Sequence, residues 1–277
     1  MREVGTISNL EEKAEKVRGD IIKMLFRAQA GHCGGALSAV EIIIALYYSI
    51  MRIDPKRPQW VDRDRFVLSK GHGCLALYAV LADKGYFPRE SLASFDTVGS
   101  ILQGHPDMLK TPGVDMSTGL LGQGLSVGVG MALGVRLDKK ECRIYVLLGD
   151  GELQSGQIWE AAMAAGHYKL DNLTAIVDRN GLQIVGPTEN TMSLEPLSSK
   201  WSDFGWSVLE IDGHNIKQII NALKLASTKK DKPTIIIANT IKGKGVSFME
   251  GKAEWHSKCV TEEEMRKALN ELGVREG

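Results

Sequence analysis

Five short, β-prone apolar runs separated by segments of helical character constrain this chain more than any other feature: Arg65-Phe66-Val67-Leu68, Arg143 to Leu148, Leu173 to Val177, Trp206 to Ile211 and Thr234 to Ala238. Continuous apolar strands alternating with helices predict an α/β fold with a doubly wound, mainly parallel sheet and helices on both faces. Strands covered on both sides have no solvent face to make polar. With 277 residues, 43% of them hydrophobic, the chain can bury a sizeable core, and we assign residues 1–277 to a single domain.

Local signals place several helices. Ser8 and Glu11 have the spacing of a capping box ahead of a largely apolar stripe through Leu10, Ala14, Val17, Ile21 and Leu25, so a first helix should end near Gly31. Ser38 and Glu41 repeat that spacing before Ala39 to Met51, a segment too apolar to face water, which should be buried in this chain or against another. Thr261 and Glu264 announce a last helix.

Charge excludes some functions. Lysine plus arginine equals aspartate plus glutamate, 34 against 34, so no net field draws the chain to nucleic acid or anionic lipid. No apolar run approaches the ~20 residues of a membrane helix, and no charged-then-apolar leader is present. The cysteines Cys33, Cys74, Cys142 and Cys259 are widely spaced with no Cys-x-x-Cys pair, which points to reduced thiols in the cytoplasm.

Gly149-Asp150-Gly151 directly follows the second apolar run, and Asn180 lies thirty positions after Asp150, at the end of the third. Either motif alone is also a common turn sequence. Together they gain meaning, because a helix over 157–169 and the strand Leu173 to Val177 carry both to the carboxyl edge of the sheet, where doubly wound folds bind ligands. There an aspartate and an asparagine supply two hard oxygen ligands to Mg²⁺, and Gly151 admits a diphosphate close to the backbone. The glycine-rich stretch Gly119 to Gly134 matches neither common phosphate-loop pattern.

Four histidines, His32, His72, His105 and His256, sit in loops. One such residue is ordinarily a neutral, hydrogen-bonded side chain. Four suit a site that binds a diphosphate and a polyhydroxylated sugar and exchanges protons near neutral pH. His167 and His214 read as structural.

The run Gly149-Asp150-Gly151-Glu152-Leu153-Gln154 through Asp178-Arg179-Asn180 resembles the metal and diphosphate motif of thiamine diphosphate enzymes. Gly31-His32, Ser69-Lys70-Gly71-His72-Gly73, Gly104-His105-Pro106 and Thr118 to Gly124 occur in the order found in transketolases and narrow the resemblance to that family, from about Gly31 to His256. It implies the diphosphate-binding domain of the thiamine diphosphate-binding fold, with thiamine diphosphate and Mg²⁺ (or Ca²⁺ or Mn²⁺ in its place) as cofactors. By that likeness Asp150, Asn180 and the carbonyl of Leu182 hold the metal. Gly149, Gly151, His72 and His256 lie beside the diphosphate, the backbone at Gly119 and Leu121 meets the aminopyrimidine with Ile184 as an apolar neighbour, and His32 and His105 face the sugar. Lys244 is either a phosphate contact or a solvated loop lysine.

The implied reaction moves a two-carbon ketol unit from a ketose phosphate to an aldose phosphate, in the pentose phosphate pathway. In full-length transketolases the pyrimidine-binding and C-terminal domains follow this region, the former holding the glutamate that activates the cofactor. The resemblance therefore implies a separate partner chain carrying them, with two copies of each chain in a heterotetramer. Two departures stand out: Cys33 where the family usually has proline, expected to loosen the His32 loop and open it to oxidation, and Ser155 where many relatives have an inter-site glutamate. The alternatives are the α subunit of a 2-oxo acid dehydrogenase, a transketolase for an unusual sugar, and a non-catalytic regulatory protein on the same fold.

Overall fold

Each of the five apolar runs forms a strand. In a computed structural model that describes residues 6–275, the chain passes through α1 (Ile7–Ala28), α2 (Cys33–Leu37), α3 (Val40–Ala45), β1 (Arg65–Leu68), α4 (Cys74–Lys84), α5 (Gly124–Leu137), β2 (Ile144–Gly149), α6 (Gly156–His167) and β3 (Leu173–Arg179). A small hairpin of β4 (Leu182–Gln183) and β5 (Gly186–Pro187) follows, then α7 (Thr188–Thr191), α8 (Leu197–Asp203), β6 (Ser207–Asp212), α9 (Ile216–Thr228), β7 (Thr234–Asn239) and α10 (Glu262–Glu271). Residues 1–5 and 276–277 of the assigned domain lie outside the described residues.

The sheet is parallel throughout, in the order β1-β2-β3-β7-β6. Side chains alternate between its faces with the two-residue period of extended backbone. Tyr145 and Leu147 of β2 enter a core shared with α1, α3, α4 and α9, while Ile144, Val146 and Leu148 enter a second core shared with α5, α6 and α8. Helices on both faces thus bury strands that are apolar on both faces, as the continuous apolar runs require.

The pairing register places Gly149 beside Asp178 and Arg179 beside Asn239. The segments leaving β2, β3 and β7 therefore emerge together at the carboxyl edge. Among the described residues no helix is long and apolar enough to cross a membrane.

Two of the three capping boxes differ from the sequence reading. Thr6, two residues before Ser8, caps α1 by accepting from the Asn9 N–H at 3.3 Å, which leaves Ser8 inside the first turn. Ser38 donates to the Gly35 carbonyl (3.2 Å) and to the Asp178 carboxylate (2.6 Å), while Glu41 pairs with Arg18 (2.5 Å) and His214 (3.1 Å). Buried ionic partners outcompete the local cap there. Val40 and Ile42 to Leu46 are buried within this chain, in the core with α1, α4 and α9, and a π-helical turn (Leu46–Ile50) ends the segment. The third box forms as expected, Thr261 accepting from the Glu264 N–H at 3.2 Å and Glu264 accepting from the Thr261 N–H at 2.9 Å.

Candidate active site

A fully buried aspartate organises the carboxyl edge. Asp178, near the end of β3, accepts from Ser38 Oγ (2.6 Å) and Thr240 Oγ1 and pairs with Lys70, whose ammonium also donates to the Gly35 carbonyl (2.8 Å). Burial pushes the Asp178 carboxyl up, but Lys70 and the hydroxyl donors more than offset it and hold it below the ordinary range. The segments after β1 and β7 and the end of α2 are pinned to one another through this single side chain.

Beside it opens a cleft of about 300 Å³ whose lining includes Gly35, Lys70, His72, Asp150, Lys242 and His256, with Leu121, Gly149, Gly151, Asn180, Leu182 and Ile184 also in its walls. Asp150 accepts from the N–H groups of Gly151 (2.7 Å) and Gly181 (2.5 Å), and Arg179 lies 3.3 Å from its second oxygen. Asn180 Oδ1 accepts from the Leu182 N–H at 3.1 Å, and Lys242 Nζ reaches the Leu182 carbonyl at 3.5 Å. A carboxylate, a side-chain amide and a backbone carbonyl on one wall are hard oxygen donors of the kind Mg²⁺, Ca²⁺ or Mn²⁺ takes, so the residues present fit a divalent cation. The ammonium groups of Lys70 and Lys242 supply charge of the sign a diphosphate needs.

All four candidate histidines converge. Ring centroids of His32 lie 5.5 Å from His72, 6.0 Å from His105 and 5.3 Å from His256, and His72 and His256 are 5.1 Å apart. His72 and His256 line the cleft with Asp150 and Asn180, whereas His32 and His105 are not among its lining residues. Burial, then neighbouring positive groups, lower three of these rings: His32, His72 well below its usual range, and His256 down to about 3. These rings are therefore neutral near pH 7, each with one nitrogen to donate a hydrogen bond and one to accept. His32 Nδ1 is buried without a hydrogen-bond partner, and His256 Nδ1 is 3.1 Å from Lys242 Nζ.

The same shifts set an acid limit. Because the folded state disfavours protonated imidazole, the unfolded chain binds more protons below pH ~6.5, and stability falls as pH drops from there toward the folded values. We expect thermal melting of the free chain to decline between pH ~6.5 and ~4.5, and His256→Gln to flatten that decline. Identical pH profiles would show that His256 titrates alike in both states.

The remaining sequence candidates fall at the rim or outside. Gly119 packs against His105, where an added Cβ would lie 3.1 Å from the ring, and Ile184 is 68% exposed at the mouth of the cleft. Lys244 is directed to Glu250 (3.3 Å) and does not line the cleft. The lysines that do, Lys70 and Lys242, carried a usable signal: each lies just past a strand end in a glycine-flanked loop. His214 is structural as expected, accepting from the Ile241 N–H at 2.8 Å while its other nitrogen meets Glu41. His167 packs edge-on against Tyr168 at the end of α6.

Cys33 corrects an expectation. Its thiol is fully buried, lies 3.3 Å from the Trp255 carbonyl, and is pushed by burial to a pKa of about 12. So poor a thiolate former is protected from oxidation, and the contact ties the His32 loop to the segment carrying His256. Ser155 stands just before α6, where a Cβ on Gly122 (φ 86°) would come within 2.5 Å of its hydroxyl.

Glu152 is a further residue of the site, and no local sequence signal marks its role. Buried, it accepts from Ser69 Oγ and from the N–H groups of Gly122 (2.9 Å) and Gly149 (3.0 Å), joining the three loops that carry His72, Leu121 and Asp150. Glutamine offers one acceptor oxygen in place of two and sets an NH₂ against a backbone donor. Glu152→Gln should therefore lose about 1–3 kcal/mol in urea unfolding; a loss within error would mean that these loops hold their positions without it.

Residues 11–276 match the sequence family described as the transketolase thiamine diphosphate binding domain. The chain is 48% identical over 269 residues to one of the named subunits of the apulose-4-phosphate transketolase of Phocaeicola vulgatus, covering 97% of this chain and 95% of that one. It is 50% identical over 264 residues to a 6-deoxy-6-sulfo-D-fructose transketolase subunit of a Clostridium species (strain MSTE9), covering 95% and 96%. Transketolase from Campylobacter jejuni shares the fold with a TM-score of 0.92 at 35% identity, over 98% of this chain and 43% of that one. The chain thus spans about two fifths of the solved transketolases it matches. A parallel sheet with the cleft at its carboxyl edge, and a sequence match along nearly its whole length, lead to one assignment: this chain belongs to the transketolase family, matching its thiamine diphosphate-binding domain.

Proposed function

We propose that this chain is the cofactor-binding subunit of a two-chain cytoplasmic transketolase. In this reading one domain, residues 1–277, joins a partner carrying the pyrimidine-binding domain, and two copies of each chain form the active heterotetramer. A single observation carries it: the imidazoles of His72 and His256, two ammonium groups and the oxygens of Asp150, Asn180 and Leu182 line one cleft, with the rings of His32 and His105 packed behind them and His32 Nδ1 buried and unpartnered. When bound, thiamine diphosphate supplies the nucleophilic carbon that cleaves and re-forms the carbon–carbon bond. Asp150, Asn180 and the Leu182 carbonyl would hold Mg²⁺. Lys70, Lys242, His72 and His256 would bind the diphosphate, and the neutral imidazole of His32, with His105, would exchange protons with sugar hydroxyls.

Family membership sets aside the 2-oxo acid dehydrogenase alternative. Relatives at 48% and 50% identity named for apulose-4-phosphate and 6-deoxy-6-sulfo-D-fructose favour an unusual sugar over the ordinary pentose phosphates. Cofactor titration separates this reading from a cofactor-free regulatory protein on the same fold. In the assembled complex at saturating Mg²⁺, Asp150→Ala and Asn180→Ala should each weaken thiamine diphosphate at least about tenfold, because each removes an oxygen ligand and leaves the ring contacts in place. Unchanged affinity in both variants would remove the metal assignment.

A further inference from the structure

At the amino ends of β1 and β2, on the edge of the sheet opposite the cofactor cleft, Ser49, Arg52, Arg143 and Lys224 line a second cavity of about 310 Å³. Three buried atoms of its lining residues, Ser49 Oγ, Arg52 Nε and Arg143 Nε, have no hydrogen-bond partner. Each is a donor. A buried donor without an acceptor costs about 1–3 kcal/mol, so an acceptor that enters the cavity and draws these side chains toward it relieves part of that cost.

Their positions are not accidental rotamers of free side chains. Arg143 is anchored through Nη2 to the carbonyls of Asp171 (2.8 Å) and Ala226 (3.4 Å), which fixes its guanidinium in the cavity wall. The Arg52 guanidinium lies over the Trp60 ring, 5.7 Å from its centroid. Asp64 also lines the cavity, but its two oxygens are engaged by the backbone N–H groups of Arg52 (2.7 Å) and Arg143 (2.8 Å). With Glu141, exposed at the rim, as the other acid, two guanidinium groups and the Lys224 ammonium leave the cavity net positive.

We propose that this cavity is an accessory oxyanion site that takes a phosphate group, free or as a monoester. The guanidinium groups of Arg52 and Arg143, the Lys224 ammonium and the Ser49 hydroxyl belong to its lining residues, and charge-assisted bonds from guanidinium to phosphate are of the strong kind. The site lies at the other end of the strands from the cofactor cleft and is independent of the transketolase reading.

Inorganic phosphate titrated into the full chain provides the test, read at the ¹⁵Nε–H resonances of Arg52 and Arg143, which report this cavity and not the cleft. Both should shift together and saturate, while chloride at equal ionic strength leaves them in place. Arg52→Met should weaken the binding seen at Arg143 at least about tenfold. Lys224→Met, at an exposed position, should weaken it less and leave the melting temperature unchanged, keeping the test valid if Arg52→Met folds poorly. Glycerol phosphate run in parallel separates the sources: tighter binding by the ester indicates a monoester ligand, weaker binding free phosphate. A linear response equal to that of chloride, or saturable binding unaffected by both variants, would mean that phosphate has no site in this cavity and would overturn the proposal.

Discussion

Supplied with thiamine diphosphate, Mg²⁺ and a ketose–aldose phosphate pair, this chain by itself should transfer no ketol unit, and turnover should appear only when a partner bearing the pyrimidine-binding domain is added. The cleft gathers donors for a diphosphate and a metal, yet exposed apolar side chains line its mouth, with Leu121 at 41%, Ile184 at 68% and Val185 at 75% of full exposure. Apolar groups of that size beside a polar cleft are suited to being covered by another surface. Glu152, the carboxylate nearest the metal motif in sequence, is already committed to three loop donors. Relatives of matching length are themselves named as subunits. The measurement is coupled turnover with and without the partner, together with the mass of the mixed complex. Robust turnover by the single chain would end the two-chain reading while leaving family membership intact.

Lys70→Met should be among the most damaging single substitutions, lowering stability by about 3–5 kcal/mol in urea unfolding. It would strand the Asp178 carboxylate, fully buried, with only the hydroxyls of Ser38 and Thr240 as partners. The Gly35 carbonyl would lose its ammonium donor as well. Asp178→Asn added to Lys70→Met should recover part of the loss, since removing both charges avoids an uncompensated buried ion. Cofactor affinity should not return in the double variant, because the Lys70 ammonium that faces the cleft is still absent. A single-variant loss below about 1 kcal/mol would show that water or another cation reaches Asp178.

Much of this molecule is set by local and periodic features of its sequence. Short, β-branched apolar runs bounded by turns favour buried strands, so β1, β2, β3 and β7 and the sheet they form follow from Phe66, Val146, Ile176 and Ile236 and their neighbours, while the edge strand β6 keeps Glu210 exposed. Once the sheet is parallel, Asp150 and Asn180 must emerge at one edge, and Thr261 with Glu264 caps its helix with no help from elsewhere. Tertiary structure alone decided which polar side chains do the holding. Ser38 and Lys70 meet Asp178 across 140 and 108 positions, Glu152 gathers three loops, and Lys242 enters the cleft while Lys244, two residues on, turns to Glu250. A helix or strand leaves a periodic trace because its neighbours are a few residues away. A buried ion pair leaves none, because its energy depends on the dielectric and the donors that distant segments bring to it once they are packed.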